Sequence, residues 1–155
     1  MTTLYLDEDA QTLPSSATTA TTYTFTSATL SLDQRSTAKT DSTCLNLLNH
    51  SGETLICLSF SRSNDEVVLN SYSPREKEWG KEIRLPSLER AFGHDATTAT
   101  VQVKVYDRSN WQISVNGNYL ATFKHSLGGN VNKASYTSTN NQGSVFNDPV
   151  TLDIQ

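Results

Sequence analysis

The sequence predicts an all-β fold, a sandwich of two antiparallel sheets, and three observations carry that prediction. Only 18% of its 155 residues are charged, and abundant Ser, Thr and Asn are interleaved with apolar residues in runs too short for long helices. Apolar and polar residues alternate with a period of two in segment after segment, which is the pattern of strands with one face buried. Turn-forming Gly, Asn, Asp and Ser separate these segments at short intervals, giving about eleven short strands, as a β-sandwich requires.

Residues 12 to 31 are rich in Thr, Ser and Ala, and Tyr23 and Phe25 alternate with Thr22, Thr24 and Thr26, so the segment reads as a β-branched strand rather than a linker. Asp33 to Ser42 reads as a polar loop. Leu45 to Leu48 is a strand closed by a turn at Asn49-His50-Ser51-Gly52; that turn also fits the N-glycosylation pattern, and the turn reading is preferred. In Thr54 to Ser61, Ile56, Leu58 and Phe60 alternate with Cys57, Ser59 and Ser61. Glu66 to Ser71 follows the Ser63-Asn64-Asp65 turn, and Glu82 to Pro86 follows a loop from Tyr72 to Glu78. Ser87 to Phe92 is long enough only for a helical turn. Thr100 to Tyr106 places Val101, Val103 and Val105 on one face, and Asn116-Gly117 supplies the positive φ angles of a tight hairpin between Trp111 to Val115 and Asn118 to Phe123. Lys133 to Tyr136 and a terminal strand ending at Ile154 complete the set.

At 17.1 kDa the chain is expected to form a single domain, residues 1–155, with a core that needs no disulfide or metal. The net charge of −4 and pI near 5.3, with no basic cluster beyond Arg75-Glu76-Lys77, exclude the basic stripe that nucleic acid or an anionic membrane surface demands. Cys44 and Cys57 are expected as free thiols, and Cys44 as buried. Met1 to Glu8 has neither a basic n-region nor an apolar h-region, and no run approaches the ~18 apolar residues of a membrane span, so the expected location is the cytoplasm, or outside the cell by a route without a signal peptide. No repeat, GxGxxG, Walker loop or heptad is present, and no cofactor is expected.

The chemistry concentrates in three consecutive strands with short connections, which are expected to neighbour in one sheet. With Phe60, Leu69 and Ile83 pointing inward, the outward sets are Cys57, Ser59 and Ser61, then Glu66, Val68 and Asn70, then Glu82 and Arg84, with Trp79 at the edge. An indole can cover the apolar C–H face of a sugar, while amide, carboxylate and guanidinium groups pair with its hydroxyls.

These residues resemble the galectins, and most of all the fungal galectins. The resemblance runs from about Leu45 to the C-terminus through Leu45-Asn46-Leu47-Leu48, the strand ending in Phe60, Val67-Val68-Leu69-Asn70-Ser71, Trp79 followed by Glu82-x-Arg84, and the Val115-Asn116-Gly117 hairpin. It implies a jelly-roll, concanavalin A-like sandwich that binds β-galactosides, with Trp79 stacking on the galactose and Asn70, Glu82 and Arg84 bonding its hydroxyls. The family pattern His-x-Asn-x-Arg falls here on Cys57, Ser59 and Ser61, so the first half of the site departs from it. Arg62 would replace the missing Arg only if its strand carries a bulge, since a one-residue shift reverses the face.

The expected function is therefore a non-enzymatic lectin, homo-oligomeric as such lectins commonly are, that binds a galactoside-containing or related glycan with altered specificity and weak affinity for plain lactose. The alternative is a protein of the same fold that has lost sugar binding and acts through protein contacts or self-association. A glycoside hydrolase using Asp65 or Glu66 with Glu82 ranks third. His50, His94 and His125 are too scattered for a metal site, and none is expected.

Overall fold

A computed structural model describes residues 1–14, 21–33, 41–107, 109–124, 127–139 and 143–155. The strands, in chain order, are β1 (Thr2–Leu4), β2 (Gln11–Thr12), β3 (Thr22–Ser27), β4 (Ser42–Leu48), β5 (Thr54–Ser61), β6 (Glu66–Ser73), β7 (Glu78–Trp79), β8 (Ile83–Pro86), β9 (Ala99–Val105), β10 (Asn110–Val115), β11 (Asn118–Lys124), β12 (Lys133–Ser138) and β13 (Val150–Ile154). One short helix, α1 (Leu88–Phe92), lies between β8 and β9. The strands form two antiparallel sheets, a six-stranded one ordered β1-β13-β3-β9-β10-β11 and a seven-stranded one ordered β2-β12-β4-β5-β6-β7 with β8 also on β6.

The period-two pattern decides which side of each strand is buried. Tyr23 and Phe25 of β3, Val101, Val103 and Val105 of β9, and Ile113 of β10 point inward from the first sheet; Leu45 and Leu47 of β4, Phe60 of β5 and Leu69 of β6 meet them from the second in one continuous core. Phe60 packs on Phe92 at 5.3 Å and edge-on to Phe146 at 5.1 Å between ring centroids, so α1 closes one end of the sandwich. The helix is held by Ser87, whose hydroxyl accepts from Arg90 N (3.1 Å), and by Asp65, whose carboxylate accepts from Leu88 N (2.9 Å).

Several expectations are sharpened. The Asn116-Gly117 turn is present with φ of 48° and 82°, and the Asn116 side chain also accepts from Thr100 N (2.8 Å) and donates to the carbonyls of Phe92 (2.9 Å) and Thr98 (3.1 Å). Asn49 closes its turn by accepting from the backbone N–H of Ser51 and Glu53, and its amide nitrogen donates to Glu53 and to the carbonyl of Gly128, so this buried side chain is structural rather than a glycan acceptor. The strand expected over residues 12 to 31 is observed at Thr22–Ser27, with residues 15–20 outside the described set; most of the Asp33 to Ser42 loop also lies outside it, and Ser42 itself begins β4. β1, β2 and β7 were not anticipated.

Candidate functional site

The seven-stranded sheet turns its outer face to solvent as an open groove of about 670 Å³. Strand register sets its layout in cross-strand rows. One row runs Cys44, Ser59, Val68, Arg84; a second, Asn46, Cys57, Asn70; a third, Ser42, Ser61, Glu66. Cys57, Ser59, Ser61, Asn70, Trp79, Glu82 and Arg84 therefore line one groove, as the parity of the three strands predicts, and β5, β6 and β8 are indeed neighbours.

Arg84 organises one side. Its Nε donates to Glu82 Oε1 (2.7 Å), Nη2 to Glu82 Oε2 (3.3 Å), and Nη1 to Glu66 Oε1 in a short contact. A guanidinium has five N–H donors, so two stay available to a ligand. Glu82 is the first cause of the rise in the Arg84 pKa, with Glu66 adding to it, and the cation lies between two carboxylates.

Trp79 is 57% exposed and rests on Tyr72, its cross-strand partner, with centroids 4.6 Å apart and planes tilted by 41°. The sequence left Trp79 in a loop; β7 places it on the sheet instead, anchored by Gly80 N donating to Ser71 O (2.8 Å). Asn70 is nearly buried, and its amide oxygen accepts from Ser71 N (2.8 Å), which leaves the NH₂ as the group it can offer a ligand.

The other side is small and neutral. Ser61 is buried, its hydroxyl shared with Ser63 (3.2 Å) and accepting from Asn64 N (3.2 Å). Ser59 and Cys57 continue the floor, and Cys44, Ser42, Asn64 and Thr139 line the groove as well, none of which had been assigned to it from sequence. Cys44 is half-buried rather than buried, because it lies on this face.

Arg62 does not reach the groove. β5 does carry a bulge, but at its start: Leu48 pairs with Thr54 and Leu47 with Ile56, and opposite β6 Thr54 pairs with Tyr72 and Cys57 with Asn70. The extra residue explains why Leu55 and Ile56 are both fully buried. From Cys57 to Ser61 the register is regular, so Arg62 turns inward, where Nε and Nη2 grip the Asp41 carboxylate at 2.9 and 3.1 Å with both side chains 1% exposed. Arg62, a candidate ligand-binding residue on the sequence if its strand bulged there, is therefore a buried partner of Asp41 instead.

The carboxylates considered for hydrolysis are committed elsewhere. Asp65 holds α1, and Glu66 and Glu82 share one guanidinium. Among the described residues no group of three or more His, Cys, Asp and Glu is placed to hold a metal ion, and no helix is long and apolar enough to cross a membrane.

This architecture is the galectin fold. Sheep galectin-11, solved with glycerol, matches with a TM-score of 0.66 at 18% identity over 95% of this chain and 96% of that one. The Caenorhabditis elegans galectin LEC-6 matches at 0.65 and 16% identity over 97% and 95%. A double variant of human galectin-16 matches at 0.66 and 16% identity over 94% of each chain. No protein-family model and no curated protein matches the sequence.

Proposed function

We propose that the chain is a non-enzymatic lectin of galectin type, most similar to those of fungi, that binds a neutral glycan in the groove over β5, β6 and β8. The observation that carries this reading is the exposed Trp79 indole standing beside the Glu82–Arg84–Glu66 clamp and the Asn70 amide. An apolar platform next to preorganised donors and acceptors suits a sugar ring, because such groups hold hydroxyls without having to be ordered on binding. Two carboxylates against one guanidinium among the lining residues disfavour sulfated or sialylated ligands.

Specificity shifts away from plain lactose. The resemblance places His and Arg where Cys57 and Ser61 stand, and each hydrogen bond to a charged group is worth about 1.5–3 kcal/mol. Losing two weakens binding by on the order of 10²- to 10⁴-fold at about 1.4 kcal/mol per tenfold. The small residues on that side leave room for a substituent or branch instead. Association of copies would restore strength through avidity at a multivalent surface, and action inside the cell or export without a signal peptide both fit this reading.

A glycan array followed by isothermal titration tests it. We expect a neutral oligosaccharide to bind, and Trp79→Ala to weaken it 10- to 100-fold, since about 100 Å² of indole covered at about 25 cal/mol/Å² contributes about 2.5 kcal/mol. No binding to any glycan at millimolar concentration by the folded protein would favour the second reading, a galectin fold working through protein contacts. The engaged Ser61 hydroxyl, with no cation among the described residues lining that side of the groove, is the observation behind that alternative.

A further inference from the structure

The groove floor contains two cysteines whose chemistry glycan binding does not call on. Cys44 of β4 and Cys57 of β5 lie on adjacent antiparallel strands, one diagonal step apart, since Cys44 faces Ser59 and Cys57 faces Asn46. Both side chains project to the same outer face and line the same groove. Each thiol is the first influence on the other's ionisation, and Ser59, directly opposite Cys44 on β5, and Thr137, opposite it on β12, act on Cys44 as well. Cys57 is almost covered, whereas Cys44 is half-exposed to the groove.

We propose that Cys44 and Cys57 form a cross-strand dithiol that is an oxidation site, with Cys44 as the peroxide-reactive thiol and Cys57 as the thiol that resolves it. The division of labour follows from position. Cys44 meets solvent and is surrounded by donors, and its pKa is lowered to about 7, chiefly by the bond from Cys57 and further by Ser59 and Thr137, against burial and the Asp7 carboxylate from the N-terminal segment. Cys57 is pushed the other way by its bond to Cys44 and by burial, which keeps it a thiol.

The chemistry balances with a hydroperoxide as oxidant. The Cys44 thiolate attacks one peroxide oxygen, the O–O bond breaks, and hydroxide (or alkoxide) leaves, giving Cys44 sulfenic acid. The Cys57 sulfur then attacks the Cys44 sulfur; the S–O bond breaks, the S–S bond forms, and the departing hydroxyl leaves as water with the Cys57 proton. Two thiols lose two electrons and the peroxide gains them. A dithiol such as dithiothreitol would reverse the link by two successive exchanges, returning both cysteines to thiols and itself closing to a disulfide.

The full chain, folded and without ligand, is exposed to hydrogen peroxide and read by mass spectrometry. Cleavage after Glu53 puts Cys44 and Cys57 on different peptides, so an intramolecular disulfide joins them, and we expect that joined species, released by dithiothreitol. Before oxidation, iodoacetamide should label Cys44 at least about tenfold faster than Cys57, with a rate that rises with pH through about 7. Cys57→Ser should halt at a Cys44 sulfenic acid that dimedone traps, while Cys44→Ser should leave Cys57 unlabelled. Unlinked peptides with both thiols still alkylatable, over-oxidised Cys44 in the wild type, or links only between chains would overturn the proposal, and the wild-type result decides even if a variant fails to fold. Loss of glycan affinity on oxidation is expected too, because Cys57 sits opposite Asn70; that consequence alone rests on the lectin reading, and the disulfide test stands without it.

Discussion

Truncating Arg62 separates a structural arginine from a ligand-binding one. The guanidinium makes a two-pronged bond with Asp41 at 2.9 and 3.1 Å, both side chains are 1% exposed, and a third contact reaches Ser31 O at 3.5 Å. Removing one member of a buried pair strands the other charge without water or partner, at a cost of about 3–5 kcal/mol. For a chain of this size about 1 kcal/mol moves the melting midpoint by roughly 2–4 °C, so Arg62→Ala should lower Tm by about 6–20 °C. Asp41→Ala should cost a similar amount. Arg62→Met with Asp41→Leu should lose much less than the sum, because no buried charge remains and the volume is refilled. Urea titration of the four proteins gives the coupling energy, and isothermal titration at a temperature where all are folded gives the glycan affinity, which should not change. A stability loss below about 1 kcal/mol for Arg62→Ala, or a specific loss of ligand affinity in a fully folded variant, would refute the assignment and return Arg62 to the groove.

Two further substitutions test how the frame holds the site. Asn116→Gly keeps the positive φ but deletes the three side-chain bonds to Thr100, Phe92 and Thr98, so it should cost about 2–3 kcal/mol in urea titration; near-neutrality would mean the side chain only shapes the turn. At Gly80 an added Cβ would collide with Ser71 Oγ, so Gly80→Ala should cost about 1–3 kcal/mol and weaken ligand binding by displacing Trp79, and adding Ser71→Ala should recover most of both. If the double variant is no better than Gly80→Ala, that collision is not what Gly80 avoids.

The strands legible in the sequence are those long enough to show a period. β5, β6, β9 and β10 are each six to eight residues long, enough to show apolar–polar alternation in the sequence, and most of their inward and outward positions follow from it. β1 has three residues and β2 and β7 have two, too few to display alternation; tertiary pairing with β13, β12 and β6 makes them strands. The site divided along the same line. Asn70, Glu82 and Arg84 could be joined because the longer strands carrying or flanking them, β6 and β8, are separated only by a short stretch, whereas Cys44, Ser42 and Thr139 enter from β4 and beyond β12, and only the strand order brings them in. Asp41 offered no sequence signal as the partner of Arg62, since a salt bridge between positions 21 apart has no periodic signature.

The two sides of the groove are under different physical constraints, and that difference narrows what can bind. On the Arg84 side each residue is anchored by a neighbour while keeping donors to offer: Arg84 by Glu82 and Glu66, Asn70 by Ser71 N, and the indole by Tyr72. Such a surface loses little entropy on binding and rejects a ligand whose hydroxyls do not match, because its donors cannot reorient. On the Cys57 side the residues are short, uncharged and partly engaged with each other, so they exclude little and attract little. In the proposed lectin, affinity would come from Trp79 and Arg84, and selectivity from whatever fills the space above Cys57 and Ser59. On that proposal a plain disaccharide that relies on a cation there would meet none among the described lining residues, whereas a glycan with a neutral substituent at that position would gain contact area. Peroxide chemistry at Cys44 would act on this permissive side, where a change in the floor alters the fit of the substituent and leaves the Arg84 clamp in place.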